Sequence, residues 1–369
     1  MLFHLAELLR DQLGFLNVVR YVSFRVMAAF ITSLVICLVL FPWLIQTLKQ
    51  KDVGQVIRDD GPISHHSKAG TPTMGGVLIL LSILVSSVLW CQLTKRLVVI
   101  TLGLGAAFAT VGFVDDIRKL REKSSRGVPG KVRLALEFAV TSAVLGVFIW
   151  WFGASVRYDL RLFIPFMSAE RYWFDLPFLV YLGLGSFVVV GTANATNLTD
   201  GLDGLAAGPI AIASAALLIL SYVSGARLGS LDLSRYLLIP NVVGGQELSV
   251  ICSAMMGATI GFLFYNSYPA EIFMGDTGSL GLGALLGSMA VLTKNELLSV
   301  VIFGVFVFEA LSVIAQTTSF KLTGKRILPM APVHHSFEKM GWKEPKIVVR
   351  FWIASLLLAM VALASIKVR

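Results

Sequence analysis

The residues of this chain best suited to chemistry are acids, amides and histidines, gathered in five short clusters between long apolar stretches. The run Gly112-Phe113-Val114-Asp115-Asp116 sets two carboxylates where apolar sequence gives way to basic sequence. Taken alone, such a pair is most simply two solvated charges, bridged to Arg118 or Lys119. On a helix, however, adjacent side chains point about 100° apart, so one carboxylate can face a metal or phosphate while the other faces a second group. The segment from Asn194 to Gly204 places Asn194, Asn197, Asp200 and Asp203 three residues apart. Neighbours at that spacing can converge on one ligand. An unbroken helix rotates the stripe by about 60° per step, so all four share a face only if the glycines bend the chain. The plain alternative is a polar turn, but so many polar groups beside hydrocarbon are costly unless they face a cavity.

Asn266 and the run Phe273-Met274-Gly275-Asp276-Thr277-Gly278-Ser279 put a carboxylate among glycines and hydroxyls, with no basic residue nearby. Oxygen ligands on a closely approachable backbone suit a hard cation such as Mg2+, completed by substrate phosphate. Helix capping by Asp276 is the ordinary alternative, and the two roles are compatible. In Met330-Ala331-Pro332-Val333-His334-His335-Ser336-Phe337-Glu338, adjacent histidines without a cysteine cluster argue against zinc. Hydrogen bonding of His334 and His335 to phosphate or a nucleobase fits better. Lys68-Ala69-Gly70-Thr71-Pro72-Thr73-Met74-Gly75-Gly76 offers the Lys68 cation and the Thr73 hydroxyl at a helix N-terminus, a phosphate-contacting edge. It lacks Walker A spacing, so ATP hydrolysis is not indicated.

These clusters need elements to hold them, and composition says which. Of 369 residues, 56% are hydrophobic and 14% charged, with mean hydropathy +0.80, too few charges to cover a water-soluble globule. The chain is predicted to be all-α, a single polytopic membrane domain over residues 1–369. The first twenty residues lack the layout of a cleaved signal, so the first span is expected to stay. Runs able to cross about 30 Å of hydrocarbon lie near 22–45, 74–92, 97–114, 132–152, 176–194, 202–223, 248–265, 279–293, 296–318 and 348–366, the eighth looking short. Cys37, Cys91 and Cys252 fall within apolar stretches and are read as small buried hydrophobes, with no disulfide or thiol chemistry. The net charge of +9 sits in short loops between spans, which points to membrane topology and not to nucleic acid.

Lysine and arginine in short loops mark the cytoplasmic side. The loops after spans one, three and nine hold about sixteen of them, against about twelve spread over six segments on the other side. All five clusters fall on the basic side. Such concentration is what one active site at the cytoplasmic surface of the membrane requires.

In this order, the runs Gly70 to Gly76, Asp115-Asp116, Asn194 to Gly204, Phe273 to Gly278 and Pro332 to Glu338 resemble the phospho-N-acetylmuramoyl-pentapeptide transferase family, over nearly the whole chain. The resemblance implies ten helices, a homodimer in the bacterial inner membrane, Mg2+ dependence, UDP-MurNAc-pentapeptide and undecaprenyl phosphate as substrates, and lipid I and UMP as products. It makes Asp115, Asp116 and Asp276 the essential acids, with Asp276 the Mg2+ ligand. Lys68, Thr73, Lys119, Asn194, Asn197, Asp200, Asp203, Asn266, Phe273, His334 and His335 would form the nucleotide and phosphate pocket. The family's third consecutive histidine is Ser336 here, which can hydrogen-bond but carries no charge. A sibling transferase acting on UDP-N-acetylglucosamine would share the aspartates, and the Pro332-Val333-His334-His335 run argues against it. A secondary transporter should show a repeat with polar residues at mid-membrane, and no clear repeat is present.

Overall fold

The computed structural model describes residues 1–9, 12–51, 70–122, 127–153, 158–229 and 231–366. Lys68 lies outside the described residues. The elements run α1 (Leu2–Leu9), α2 (Val22–Gln50), α3 (Gly75–Trp90), α4 (Arg96–Glu122), α5 (Gly130–Gly153), β1 (Arg161–Phe163), β2 (Trp173–Asp175), α6 (Phe178–Thr199) and α7 (Ala207–Gly225). They continue with β3 (Arg227–Leu228), β4 (Leu231–Asp232), α8 (Leu233–Tyr236), α9 (Leu248–Asn266), α10 (Gly275–Leu292), α11 (Leu298–Ile302), α12 (Gly304–Thr323), α13 (Val333–Lys339) and α14 (Glu344–Ala364). Among the described residues the strands form two short antiparallel hairpins, β1 with β2 and β3 with β4. In hydrocarbon every backbone polar group needs a partner within its own segment, which is why apolar runs of this length become helices.

Nine of the ten predicted spans each fall on one helix, the ninth (296–318) being divided at Phe303 between α11 and α12, and among the described residues eight helices are long and apolar enough to cross a membrane. The other two are α3, which is shorter, and α10. The whole of α10 from Thr277 to Leu292 is buried, enclosed by protein and not by lipid, so it needs less apolar surface of its own. Small residues let its neighbours come close: a methyl on Gly283 would meet the Ala193 Cα at 2.6 Å, and one on Gly287 the Val189 Cα at 2.8 Å. Two of the boundaries that differ from the expected ones place residues of the site. The third span does not end at 114, since α4 continues to Glu122 and carries both aspartates within the helix. The eighth begins at Gly275 instead of 279, which puts Asp276 in its first turn.

At the other end of the bundle, buried Arg25 on α2 forms a paired ionic contact with Glu247, at 2.6 and 2.7 Å, and donates to Trp90 O at 3.1 Å. The two ions neutralise each other, the condition under which charges can be buried at all. An apolar cavity of about 520 Å³ lies between α4 and α5, lined by Val99, Ile100, Val144 and Val147. It sits toward the end of α4 remote from the aspartate pair and takes no part in the site described next.

Candidate active site

The backbone of the first cluster is laced onto the fourth. Phe273 N donates to Pro72 O, Gly75 N to Phe273 O and Gly76 N to Met274 O, each at 2.8 Å. This seam joins the start of α3 to the start of α10. It demands glycine at the crossing, because a methyl on Gly76 would overlap the Gly278 backbone. Thr73 ends up beside Gly275, with its Oγ1 3.3 Å from where a Cβ at that glycine would stand.

Gly112 on α4 lies against the backbone of Asp276 and Thr277, and one turn further on Asp116 reaches the N-terminus of α10. Its carboxylate accepts from Asp276 N at 3.0 Å, Thr277 N at 2.9 Å and Thr277 Oγ1 at 2.6 Å. These amides are among the helix's first donors, which have no partner inside it. Asp116 therefore caps α10 from another helix, a task the sequence reading had offered to Asp276. Asp115 points elsewhere: it accepts from Val128 N, and its Oδ2 lies 2.7 Å from Lys119 Nζ. The adjacent pair divides its work as the helical offset allows.

Asp276 is the point where these groups meet. Its Oδ2 takes Lys119 Nζ at 2.8 Å and Arg133 Nη1 at 3.3 Å, while its Oδ1 accepts from Asn197 Nδ2 at 2.9 Å. Asn194 and Asn197 occupy the last turns of α6, and Asp200 is its C-cap. The helix stops there, so the four residues spaced by three do not form one stripe. Asp200 is partly buried; its burial, together with the charges of Asp276, Asp116 and Asp203, pushes its carboxyl up to about 7.

Asp203 and Asn266 are brought together as clamps on backbone. Asp203 accepts from Ala270 N at 3.0 Å, and its own amide donates to Glu344 Oε1 at 2.7 Å. Asn266 accepts from Gly204 N at 2.9 Å and donates to Ile272 O at 2.8 Å. Both are buried, and both tie the loop after α6 to the loop before α10. Phe273 is partly exposed on that loop.

The histidines lie on α13, a short helix. His334 is fully buried, with Nδ1 3.1 Å from Glu309 Oε2 on α12 though out of line for a hydrogen bond, and it packs against Gly201. His335 Nδ1 lies 2.7 Å from Glu338 Oε2. Ser336 is buried and bonds to the backbone of Met330, closing the loop before α13.

Sequence reasoning missed Arg133 and Glu137. They sit four residues apart at the start of the fourth span, Glu137 with no exposed surface. A charge pair set inside an apolar run was the available signal. Among the described residues no three His, Cys, Asp or Glu are arranged to hold a metal by themselves. What the site offers instead is an oxygen-only set centred on Asp276 and Asp115, with two cations between carboxylates. That arrangement matches anionic phosphates and a hard cation held by one or two carboxylates.

Comparison with known proteins agrees with this geometry. Residues 98–294 match the model of glycosyl transferase family 4, and residues 68–80 match phospho-N-acetylmuramoyl-pentapeptide-transferase signature 1. A phospho-N-acetylmuramoyl-pentapeptide-transferase from Sorangium cellulosum is 50% identical over 97% of this chain and 96% of its own length. Those of Syntrophus aciditrophicus and Anaeromyxobacter sp. (strain K) are 49% and 48% identical over the full length of both chains. With the signature at the α3–α10 seam and such identity from end to end, the chain belongs to the phospho-N-acetylmuramoyl-pentapeptide transferase family.

Proposed function

We propose that this protein transfers phospho-MurNAc-pentapeptide from UDP-MurNAc-pentapeptide to undecaprenyl phosphate, forming lipid I and UMP, at the face of the membrane where α4, α6 and α10 meet. The observation that carries this reading is the convergence of Lys119 and Arg133 on one oxygen of Asp276. Phosphoryl transfer asks a protein for positioning and charge neutralisation, and two cations held among carboxylates supply both. An oxygen of the lipid phosphate attacks the phosphorus attached to the sugar, the bond between the two phosphates breaks, and its bridging oxygen leaves with UMP. Lys119 and Arg133 take up the charge gathering on the leaving phosphate, and Asn197 holds Asp276 in place.

Direct displacement suits this geometry better than a covalent aspartyl intermediate. Both oxygens of Asp116 are engaged by α10, and those of Asp115 by Val128 and Lys119, so neither is free for in-line attack. The donor chemistry fits Mg2+, which Asp276 would hold; when bound it would polarise the phosphate oxygens. The working unit is a homodimer in the bacterial inner membrane with the site facing the cytoplasm. Family kinship supports the dimer, and the excess of Lys and Arg in loops on the site's side supports the orientation.

The test is UMP release by detergent-purified protein given undecaprenyl phosphate and either UDP-MurNAc-pentapeptide or UDP-N-acetylglucosamine, with and without Mg2+. UMP from the muramoyl substrate alone, lost on chelation and lost in Asp276→Ala protein that still folds and inserts, is the expected result. Release from the N-acetylglucosamine substrate would move the protein to the sibling activity, and turnover in Asp276→Ala would remove that residue from the metal site.

A further inference from the structure

The sequence offers no reason for an acid at position 137. Glu137 lies in the apolar run of α5, four residues after Arg133 and on the same helical face, and its side chain is completely buried. A lone carboxylate at such depth is among the costliest groups a membrane protein carries, so its retention calls for partners or a task. Its Oε2 accepts from Asn194 Nδ2 at 2.5 Å. Its Oε1 lies 3.6 Å from Arg133 Nε, beyond hydrogen-bond length, and has no hydrogen-bond partner among the described residues.

Following the contacts outward leads to the reacting centre. Asn194 spends its amide hydrogens on Glu137 and on Val190 O at 3.0 Å, so its Oδ1 is left facing Arg133 Nη2, which donates to it at 3.3 Å. The same guanidinium sends Nη1 to Asp276 Oδ2. Three contacts thus fix the Arg133 fork: Glu137 behind it, Asn194 at its side and Asp276 in front. We infer that Arg133 is a diphosphate-binding residue of the transferase site and that Glu137 is the positioning residue that aims it, directly and through the Asn194 amide.

The chemistry of position 137 makes this specific. Both oxygens of a carboxylate paired with a guanidinium accept, so one can take the Asn194 amide while the other faces Arg133. Glutamine has the same shape but must turn its NH2 toward one of these two donors. In either orientation a donor meets a donor, and Asn194 or Arg133 has to move. A glutamate that merely fastened α5 to α6 would be replaced by glutamine at little cost, since one acceptor suffices for the Asn194 contact. Arg133, with a side chain 19% exposed, is fixed at its back yet reachable from the site. Its planar fork is the group that pairs two ways with phosphate oxygens, which the Lys119 ammonium opposite cannot do.

The inference rests on the transferase reading, and its test separates the two. UMP release is measured for wild type, Glu137→Gln, Arg133→Met, Arg133→Lys and the double variant Glu137→Gln/Arg133→Met, varying each substrate in turn, with Tm read alongside. Wild-type turnover of UDP-MurNAc-pentapeptide judges the transferase reading by itself. Given that turnover, Arg133→Met is expected to lower kcat/KM for the nucleotide substrate about 100-fold, and Arg133→Lys to recover part of it. Glu137→Gln should cost about tenfold, with the KM for undecaprenyl phosphate unchanged and Tm within about 2 °C of wild type. In the Arg133→Met background, Glu137→Gln should cost nothing more, because the group it aims is gone. Multiplying losses in the double variant, or a Glu137→Gln loss that follows Tm alone, would make Glu137 structural and overturn the positioning role. An unchanged nucleotide kcat/KM in Arg133→Met would overturn the binding role, and that variant decides the matter even if Glu137→Gln does not fold.

Discussion

Asp116, within α4, accepts the backbone N–H of Asp276 at 3.0 Å, so one aspartate of the site caps the helix that presents another. The contact spans 160 residues of sequence and fixes the first turn of α10 against α4. Removing a helix cap costs about 1 kcal/mol and at most about 2, and hydrogen bonds to a charged group cost more. Asp116→Ala is therefore expected to lower stability in detergent by about 2 kcal/mol and to abolish UMP release. Asp116→Asn keeps one acceptor and should regain most of the Tm but little of the turnover. Equal recovery of both in the asparagine variant would show that the negative charge at 116 has no part in the reaction.

A second consequence follows from how tightly α4 and α10 meet. A methyl at Gly112 would overlap the Asp276 carbonyl, and rigid backbone on both sides leaves only a shift of one helix to relieve it. Misplacing reacting groups by about 1 Å can cost about 100-fold in rate. Gly112→Ala should accordingly lose at least tenfold in kcat while the protein still folds and inserts. Gly103→Ala, on the same helix with nothing within 4 Å of the added methyl, is the control and should retain full activity.

The parts of the site that the sequence discloses are those encoded locally. Asp115 and Asp116 are adjacent, the amides of α6 recur every three residues, and the glycines about Asp276 sit in one short run, so each could be found without knowing what lies across from it. Arg133 and Glu137 escaped because their partners, Asn194 and Asp276, are 57 to 143 residues away. The start of α10 was misplaced for the same reason: its cap comes from another helix. The end of α4 was misplaced for a different one. Charge marks where the bilayer ends, but a helix continues past that level whenever its hydrogen bonds do, and here it runs on to Glu122. The Glu309 contact of His334 crosses from α12 to α13, and no local pattern announces it.

Asp200 gives the site a measurable pH dependence. With its carboxyl pushed up to about 7 in the folded protein from an ordinary value of 3.8, the folded state binds more protons than the unfolded state between those limits. Its contribution to stability is then fully present below about pH 4 and is lost as pH rises through about 7. The whole effect is at most about 4 kcal/mol, reduced by the water that reaches a partly buried group. Asp200→Asn removes this dependence, so the difference in Tm between variant and wild type should move in the variant's favour from pH 5 to pH 8. A difference that stays constant across that range would show that Asp200 has an ordinary carboxyl.

The last prediction concerns the far end of the helix that carries Asp276. Lys294, just beyond α10, is buried with Glu296 at 3.1 Å, donates to the Tyr181 hydroxyl at 2.8 Å and stands 4.0 Å over the Tyr181 ring. Tyr181 donates in turn to Glu296 at 2.5 Å. Since α10 has 18 residues, this cluster lies about 27 Å along the helix from the reacting groups. Removing one partner of a buried ion pair typically costs about 3 to 5 kcal/mol, because the other charge is left uncompensated. Lys294→Ala should thus lower Tm sharply and reduce the yield of folded protein, yet leave kcat and both KM values of the surviving fraction near wild type. Lys294→Met/Glu296→Gln, which removes both charges together, should restore most of the stability. Altered kinetics in folded Lys294→Ala would show that α10 transmits the state of one membrane face to the other.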